Sequence, residues 1–293
     1  MFQGSMVALV TPMTEGGALD LPALAALVEW HIGQKTQAIV VTGTTGESAT
    51  LTHAERDAIY QCALKASASR VPIIAGTGAN STAETIELTA QAKAAGVQAC
   101  LLVTPYYNKP SQEGLIQHHL AVADAQDIPQ ILYNVPSRTA CDLLPETAGR
   151  LSEHPNIIGI KEATGDLDRL KALNRLAKSD FLLLSGDDAT GVEFMLAGGH
   201  GIISVTANIA PAKMQVMCEA ALAKDATSAR KINDELQMLH RRLFIESNPI
   251  PVKWALEKML KIPSGALRLP LTRLLEGHED SVMEALKSIG VCQ

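Results

Sequence analysis

Aromatic side chains are scarce in this chain of 293 residues, which has 2 Trp, 4 Tyr and 4 Phe. A groove that stacks nucleic-acid bases on aromatic platforms needs more rings. Basic clusters are also missing, because 25 Lys and Arg are outnumbered by 31 Asp and Glu, for a net charge of −6. Both features argue against a nucleic-acid-binding surface.

Paired cysteines and long hydrophobic runs are absent too. The five cysteines form no C-x-x-C motif, which argues against disulfide frameworks and zinc knuckles. No run approaches the ~18 apolar residues of a membrane span, and no basic stretch precedes the first apolar run as in a signal peptide. We therefore expect a soluble cytoplasmic protein without membrane contacts.

What the sequence does contain is a regular alternation of strand and helix patterns. Eight short apolar runs, each followed by a helical pattern, begin near positions 7, 38, 73, 99, 131, 157, 181 and 202. Eight parallel strands close an α/β (β/α)₈ TIM barrel, a fold of about 250 residues. A doubly wound open sheet is the alternative, but no G-x-G-x-x-G follows the first strand.

Several local signals mark where helices begin and end. Thr52-x-x-Glu55 and Ser81-x-x-Glu84 predict capping boxes, in which both side chains satisfy backbone N–H groups. Gly96 predicts a C-terminal stop. These signals support the predicted alternation of strands and helices.

Strand patterns stop after Lys224, and three helical patterns follow. We expect a barrel over residues 1–224 and a C-terminal helical extension over residues 225–293. The extension should pack on the barrel, where it lines the active-site mouth or forms a subunit interface.

Lys161 is the most informative residue, because active sites of such barrels lie at the carboxyl ends of the strands. Alternation places Ile157, Gly159 and Lys161 on one face, and Gly159 would leave room below an inward-facing amine. Buried lysines are rare, and desolvation lowers the lysine pKa towards the neutral amine that Schiff-base catalysis requires. The alternative is a surface pair with Glu162.

Three further segments at the carboxyl ends of the predicted strands carry side chains or backbone groups suited to Schiff-base catalysis. Tyr133 ends the preceding strand, where a phenol can transfer protons beside an imine; a core tyrosine is the alternative. The Gly43–Glu47 loop can bind a carboxylate through backbone N–H groups, or it is an ordinary turn. Arg138 fits a carboxylate clamp or a loop salt bridge.

Metal and phosphate chemistry is not indicated. His118 and His119 are adjacent on a helix, unlike the i, i+4 pair of H-E-x-x-H. Asp187 and Asp188 lack further ligands at suitable spacing, so we expect hydrogen-bonding roles for them. No Arg or Lys lies near them to bind a phosphorylated substrate. We expect no metal and no cofactor.

Six motifs, in order along the chain, resemble those of the dihydrodipicolinate synthase family, pyruvate-dependent class I aldolases related to N-acetylneuraminate lyase. They are Gly43–Ser48, Val103–Asn108, Tyr133–Arg138, Gly159–Ala163, Gly186–Asp188 and Asn248–Lys253. The resemblance implies that pyruvate condenses with L-aspartate 4-semialdehyde through a Lys161 imine. The product would be 4-hydroxy-tetrahydrodipicolinate, for lysine and diaminopimelate biosynthesis.

The resemblance also assigns roles to individual residues. Tyr133 would carry protons, linked to Thr44 and to a Tyr107 from a neighbouring subunit, so that activity requires at least a dimer. The family is usually a homotetramer, a dimer of dimers. The residues that would bind substrate are Thr45, Arg138, Ile203 through its backbone, and Gly186.

An inhibitory L-lysine site is implied as well. The matching positions are Ser48, Ala49, His53, Asn80, Glu84 and Tyr106. Arg56 stands where strongly lysine-sensitive relatives carry His, and an added cation disfavours an ammonium ligand. We therefore predict weak or absent inhibition, and Glu84 has its capping box as an alternative role.

Two other functions are considered. An N-acetylneuraminate lyase or keto-deoxy-sugar aldolase would share the lysine, but Arg138 and Tyr107 favour the semialdehyde. A non-catalytic barrel scaffold is opposed by the intact Lys161, Tyr133 and Thr44.

Overall fold

A closed parallel barrel forms the centre of the molecule. The computed structural model describes residues 2–292, and Met1 and Gln293, the outer ends of the two predicted units, lie outside it. Eight strands pair in chain order, and the eighth returns to pair with the first. The strands are β1 Gly4–Ala8, β2 Ala38–Val41, β3 Ile73–Gly76, β4 Ala99–Val103, β5 Gln130–Asn134, β6 Ile157–Glu162, β7 Leu182–Ser185 and β8 Gly201–Ser204. The predicted (β/α)₈ barrel is confirmed.

Helices surround the barrel and continue beyond it. They are α1 Leu21–Gly33, α2 His53–Ser67, α3 Thr82–Ala95, α4 Gln112–Ala125, α5 Pro136–Thr139, α6 Pro145–Leu151, α7 Leu167–Leu176, α8 Gly191–Leu196 and α9 Pro211–Leu222, followed by α10 Ala226–Arg242, α11 Ile250–Lys258 and α12 Glu276–Ser288. Arg138 lies in the one-turn helix α5, which has Pro136 at its first position, where proline is favoured. Within residues 2–292, no helix combines the length and the apolar character needed to cross a membrane.

The two predicted capping boxes differ in the structure. Thr52 Oγ1 accepts from Glu55 N at 3.2 Å, and Glu55 Oε2 accepts from Thr52 N at 2.9 Å, so the first box is complete. Ser81 Oγ accepts from Glu84 N at 3.4 Å, but the Glu84 carboxylate does not accept a hydrogen bond from Ser81 N among the described residues. The second box is therefore only half formed. The Glu84 side chain lines a cavity instead. Gly96 ends α3 with a φ of 99°, as predicted.

Strand β6 carries an irregularity that changes which side chains face inward. Gln130 pairs with Ile157, but Ile131 pairs with Gly159, so β6 has one extra residue at this point. Ile157 therefore belongs to the cluster between the strands and the helices, whereas Lys161 faces the barrel interior. The prediction that Ile157 shares the face of Lys161 was wrong, because simple alternation does not anticipate a bulge.

The helical extension packs directly on the barrel. Trp254 of α11 and Val282 of α12 belong to the same hydrophobic cluster as Leu9 and Leu24. The segment between α10 and α11 reaches the carboxyl end of the barrel, where Phe244 lines the central cavity. This segment therefore forms part of the wall of the cavity at the carboxyl end of the barrel.

Candidate active site

A cavity of about 520 Å³ opens at the carboxyl ends of the barrel strands. Of the residues predicted for catalysis or substrate binding, those that line it are Thr44, Thr45, Tyr133, Arg138, Lys161 and Gly186. The fold thus gathers side chains from loops that are far apart in sequence, because all parallel strands end on the same side of the barrel.

Lys161 lies beside Tyr133 in this cavity. The side chain is buried, and its Nζ lies 4.3 Å from the centre of the Tyr133 ring. The pairing of β5 with β6 places the two residues opposite each other, so sheet register sets their proximity. Glu162 points to the other face, where its carboxylate accepts from Arg169 Nε at 2.9 Å. The alternative of a Lys161–Glu162 surface pair is therefore wrong.

Gly186 makes room for the lysine chain. A Cβ on Gly186 would lie 2.7 Å from Cε of Lys161 and 3.1 Å from its Cγ. A Cβ on Gly159 would instead meet the Cβ and the backbone oxygen of Leu182, both at 2.7 Å. The prediction that Gly159 leaves space below the amine was wrong, because the loop after β7, which holds Gly186, packs against the side chain.

The Gly43–Glu47 loop forms a tight turn beside the lysine. Gly46 N donates to the Gly43 oxygen at 3.0 Å, and Thr11 Oγ1 donates to the Gly46 oxygen at 2.7 Å. Within residues 2–292, neither the Thr44 nor the Thr45 backbone N–H has a protein acceptor. Two such amides at a cavity wall can donate to an anion.

Asn248 connects this loop to Arg138. Its Nδ2 donates to Thr45 Oγ1 at 2.9 Å, and its backbone oxygen accepts from Arg138 Nη2 at 3.2 Å. Among the described residues, Arg138 forms no ion pair, so the alternative of a loop salt bridge is wrong. Sequence reasoning did not single out Asn248, although it begins one of the six motifs.

Two acidic residues near the site have structural partners. Asp188 Oδ2 accepts from the backbone N atoms of Val205 and Thr206, each at 2.9 Å, which joins the loops after β7 and β8. Asp187 accepts from Thr190 N at 2.9 Å. Both contacts agree with the hydrogen-bonding roles expected for this pair.

Tyr107 and Ile203 are not among the residues that line the Lys161 cavity. Ile203 is buried inside the barrel on β8. Tyr107 is 88% exposed, and its backbone has a φ of 76°, a region that disfavours residues other than glycine. Strained backbone of this kind is concentrated at functional sites, since surrounding structure must hold it in place.

A second cavity of about 400 Å³ adjoins the first and shares Thr44, Val135, Arg138 and Asn248 with it. All the predicted inhibitor positions except Asn80 line this cavity. They are Ser48, Ala49, His53, Arg56, Glu84 and Tyr106. The Asn80 carbonyl accepts from Asn108 Nδ2 at 2.8 Å.

Arg56 is buried beside the second cavity. Its guanidinium donates to the Gly76 oxygen at 3.0 Å and to the Ser48 oxygen at 2.8 Å. Among the described residues no carboxylate pairs with it. Its positive charge therefore acts directly on the lining of this cavity.

The barrel and its buried lysine, beside a phenol, define an enzyme of the Schiff-base-forming lyase class. The model of the dihydrodipicolinate synthetase family matches residues 1–289. The chain belongs to this family.

Relatives match along the full length of the chain. A 4-hydroxy-tetrahydrodipicolinate synthase of Alcanivorax borkumensis is 59% identical over 293 residues, which cover 100% of this chain and 99% of the relative. The enzyme of the same name from Methylococcus capsulatus is 60% identical over 291 residues, or 99% of this chain and 100% of the relative.

Solved structures share the fold. The chloride-inhibited dihydrodipicolinate synthase of Acinetobacter baumannii, complexed with pyruvate, has a TM-score of 0.97 and 54% identity, covering 99% of this chain and 100% of that one. The enzyme of Cyanidioschyzon merolae with lysine bound has a TM-score of 0.96 and 37% identity, covering 99% of each chain.

Proposed function

We propose that this protein condenses pyruvate with L-aspartate 4-semialdehyde to form 4-hydroxy-tetrahydrodipicolinate, in lysine and diaminopimelate biosynthesis. The observation that carries the proposal is the buried Lys161, whose Nζ lies 4.3 Å from the Tyr133 ring in a cavity lined by Arg138 and by the Thr44–Thr45 loop. The names of the relatives and the pyruvate complex of the Acinetobacter enzyme support the same reaction.

Lys161 starts the reaction as the nucleophile. Its Nζ forms a C–N bond with the keto carbon of pyruvate, and the carbonyl oxygen leaves as water. The imine then loses a methyl proton, and the resulting enamine carbon forms a C–C bond with the aldehyde carbon of the semialdehyde. The amine of that adduct attacks the imine carbon and displaces Lys161, which closes the ring.

Tyr133 handles the protons of these steps, because its ring lies beside the amine that forms the imine. In this proposal Thr44 and Tyr107 link the phenol to solvent. The Thr44 and Thr45 amides hold the pyruvate carboxylate, and Arg138 holds the carboxylate of the semialdehyde. Gly186 and the Ile203 backbone contact pyruvate.

Tyr107 reaches the site from a neighbouring subunit in this proposal, since its own-chain ring is exposed and does not line the Lys161 cavity. The active form is then at least a dimer, and we propose a dimer of dimers. Cytoplasmic localisation and the division into a barrel, residues 1–224, and a helical subdomain, residues 225–293, are part of the same proposal.

L-Lysine is the proposed inhibitor, and the second cavity is its site. The lysine complex of the Cyanidioschyzon enzyme supports lysine as a ligand in this family. Asn80 would contribute from the edge of the cavity. The buried Arg56 guanidinium adds positive charge where the ammonium group would bind, so we propose weak inhibition.

Borohydride trapping tests the proposal. The protein is incubated with pyruvate and borohydride, and the intact mass and the modified peptide are measured. We expect one reduced pyruvate adduct per chain, on the peptide that contains Lys161. If no adduct forms there, the imine mechanism is refuted. Assays with aspartate semialdehyde and with sialic acid then decide the substrate, and turnover of sialic acid alone would favour the lyase alternative.

A further inference from the structure

Asn248 contacts two residues of the proposed substrate site, although it lies in the helical extension. Its Nδ2 lies 2.9 Å from Thr45 Oγ1, and its backbone oxygen lies 3.2 Å from Arg138 Nη2. Thr45 follows β2 and Arg138 follows β5, so one residue connects loops from two parts of the barrel. Asn248 is 5% exposed and lines both cavities.

The direction of the bond to Thr45 follows from the orientation of the Asn248 amide, whose Nδ2 faces Thr45 while its buried Oδ1 has no hydrogen-bond partner among the described residues. An amide NH₂ group only donates, so Thr45 Oγ1 accepts and keeps its own hydrogen for another partner. Among residues 2–292, the contact with Asn248 is the only side-chain hydrogen bond of Thr45. Thr45 is buried at the cavity wall, and its hydroxyl hydrogen is thus available to a group bound there.

We infer that Asn248 is a positioning residue that sets the hydrogen-bond direction of Thr45, so that this hydroxyl donates to the carboxylate of the keto acid. The inference rests on the proposed function, which places the pyruvate carboxylate at this loop. A carboxylate only accepts hydrogen bonds, so a Thr45 hydroxyl turned the other way would leave it facing a lone pair. The backbone oxygen of Asn248 holds Arg138 at the same time.

Asn248→Asp reverses the bond at nearly unchanged volume, because an aspartate oxygen accepts from the Thr45 hydroxyl. The measurement is the pyruvate concentration that gives half-maximal borohydride trapping at Lys161. We expect Asn248→Asp to raise this concentration about tenfold or more, and Asn248→Ala, which only removes the donor, to raise it about threefold.

Asn233→Asp is the matched control for a buried carboxylate. Asn233 is also a buried asparagine of the helical extension, in α10, and it lines neither cavity. Its substitution should leave the half-saturating pyruvate concentration within about twofold of the wild-type value, because Asn233 lines neither cavity and substitutions at distant sites without shared partners act independently. Thermal unfolding of each variant shows separately whether the fold is affected.

Thr45→Val separates bond direction from charge. The Thr45→Val variant has no hydroxyl group that Asn248→Asp could reorient. In this variant, Asn248→Asp should therefore raise the half-saturating pyruvate concentration by less than half of the factor by which it raises that concentration in the wild-type protein. An equal factor in both backgrounds overturns the inference, and so does an Asn248→Asp variant that binds pyruvate like the wild type. If Asn248→Asp does not fold, an Asn248→Ala variant with unchanged half-saturation overturns it. Failure of the wild-type protein to form any adduct refutes the proposed function instead.

Discussion

Lys253 Nζ lies 2.7 Å from Glu47 Oε1, and the two side chains are 0% and 1% exposed. Glu47 ends the Gly43–Glu47 loop, whereas Lys253 lies in α11, so the ion pair ties the helical extension to the proposed pyruvate site. Glu47 Oε2 also accepts from Arg268 N at 3.1 Å. Desolvation lowers the pKa of Lys253, and the Glu47 carboxylate partly opposes this shift.

Removing the charge of Lys253 should destabilise the protein strongly. Lys253→Met leaves Glu47 buried without its counter-charge, and we expect a loss of about 3–5 kcal/mol in the free energy of unfolding. The double variant Glu47→Gln/Lys253→Met should recover part of this loss. Urea unfolding measures both values.

Lys213→Met is the control for this prediction, because Lys213 pairs with Glu235 at 2.6 Å on the surface. Its loss should cost about 1 kcal/mol or less. Equal losses for the buried and the surface lysine would contradict the prediction.

Gly186→Ala should impair imine formation. The new Cβ would lie 2.6 Å from Cβ of Ala163 and 2.7 Å from Cε of Lys161, so Ala163 and the lysine chain must shift, and displacements of this kind can reduce turnover about 100-fold. Trapping rates and kcat check this. Gly277→Ala, at a helix position with no neighbour within 4 Å of the added Cβ, should leave both unchanged. A Gly186→Ala variant with normal trapping would show that the lysine chain does not need this space.

Mixing two inactive variants tests whether Tyr107 crosses to a neighbouring subunit. Lys161→Ala and Tyr107→Phe chains are each expected to be nearly inactive. In a mixed dimer, the Tyr107→Phe chain keeps its own Lys161 and receives Tyr107 from the other chain. Co-refolding equal amounts should therefore restore roughly a quarter of wild-type activity, from half of the sites in half of the dimers. No recovery in verified mixed dimers would place Tyr107 within its own subunit's site.

Arg56→His should strengthen inhibition by L-lysine. Removing the guanidinium charge from the lining of the second cavity relieves repulsion of the ligand's ammonium group, and we expect the inhibition constant to fall about tenfold. Steady-state inhibition assays above pH 7.5, where the histidine is largely neutral, provide the measurement. Arg150→His, at an exposed arginine paired with Glu113, is the control. An unchanged inhibition constant for Arg56→His would contradict the prediction.

Acid should weaken the anchoring of Arg268 to α2. The hydrogen bond from Arg268 lowers the pKa of Glu55 from 4.5 to about 2. Because the folded state has the lower pKa, the stabilisation is complete above about pH 4.5 and is lost as the pH falls towards 2. Glu55→Gln should flatten this part of the stability profile in thermal unfolding measurements. A variant profile that parallels the wild type would exclude Glu55 as a contributor.

Periodicity and end signals were enough to predict most elements of the barrel. Helix α3 begins directly after the predicted cap Ser81, and Gly96 ends it as expected. Such features depend on residues three or four positions apart along one helix. The second capping box formed only in part, and its Glu84 lines a cavity created together with other elements.

Sheet register and loop packing cannot be predicted from local sequence patterns of this kind. The bulge in β6 moves Ile157 out of line with Lys161, and Gly186 rather than Gly159 leaves space for the lysine chain. The first outcome depends on how β5 pairs with β6, and the second on how the loop after β7 packs against Lys161.

The sequence alone led to a lysine-centred barrel site, because short motifs recur at the ends of regularly spaced apolar runs. It carried no sign that Lys253 would pair with Glu47, or that Asn248 would contact Thr45 and Arg138. The chain has few aromatic residues, which argued against nucleic-acid binding. One of these few, Tyr133, lies beside the buried amine of Lys161. The contacts of Lys253 and Asn248 join residues that are 110 to 206 positions apart, so they form only when the barrel closes and the helical extension packs against it.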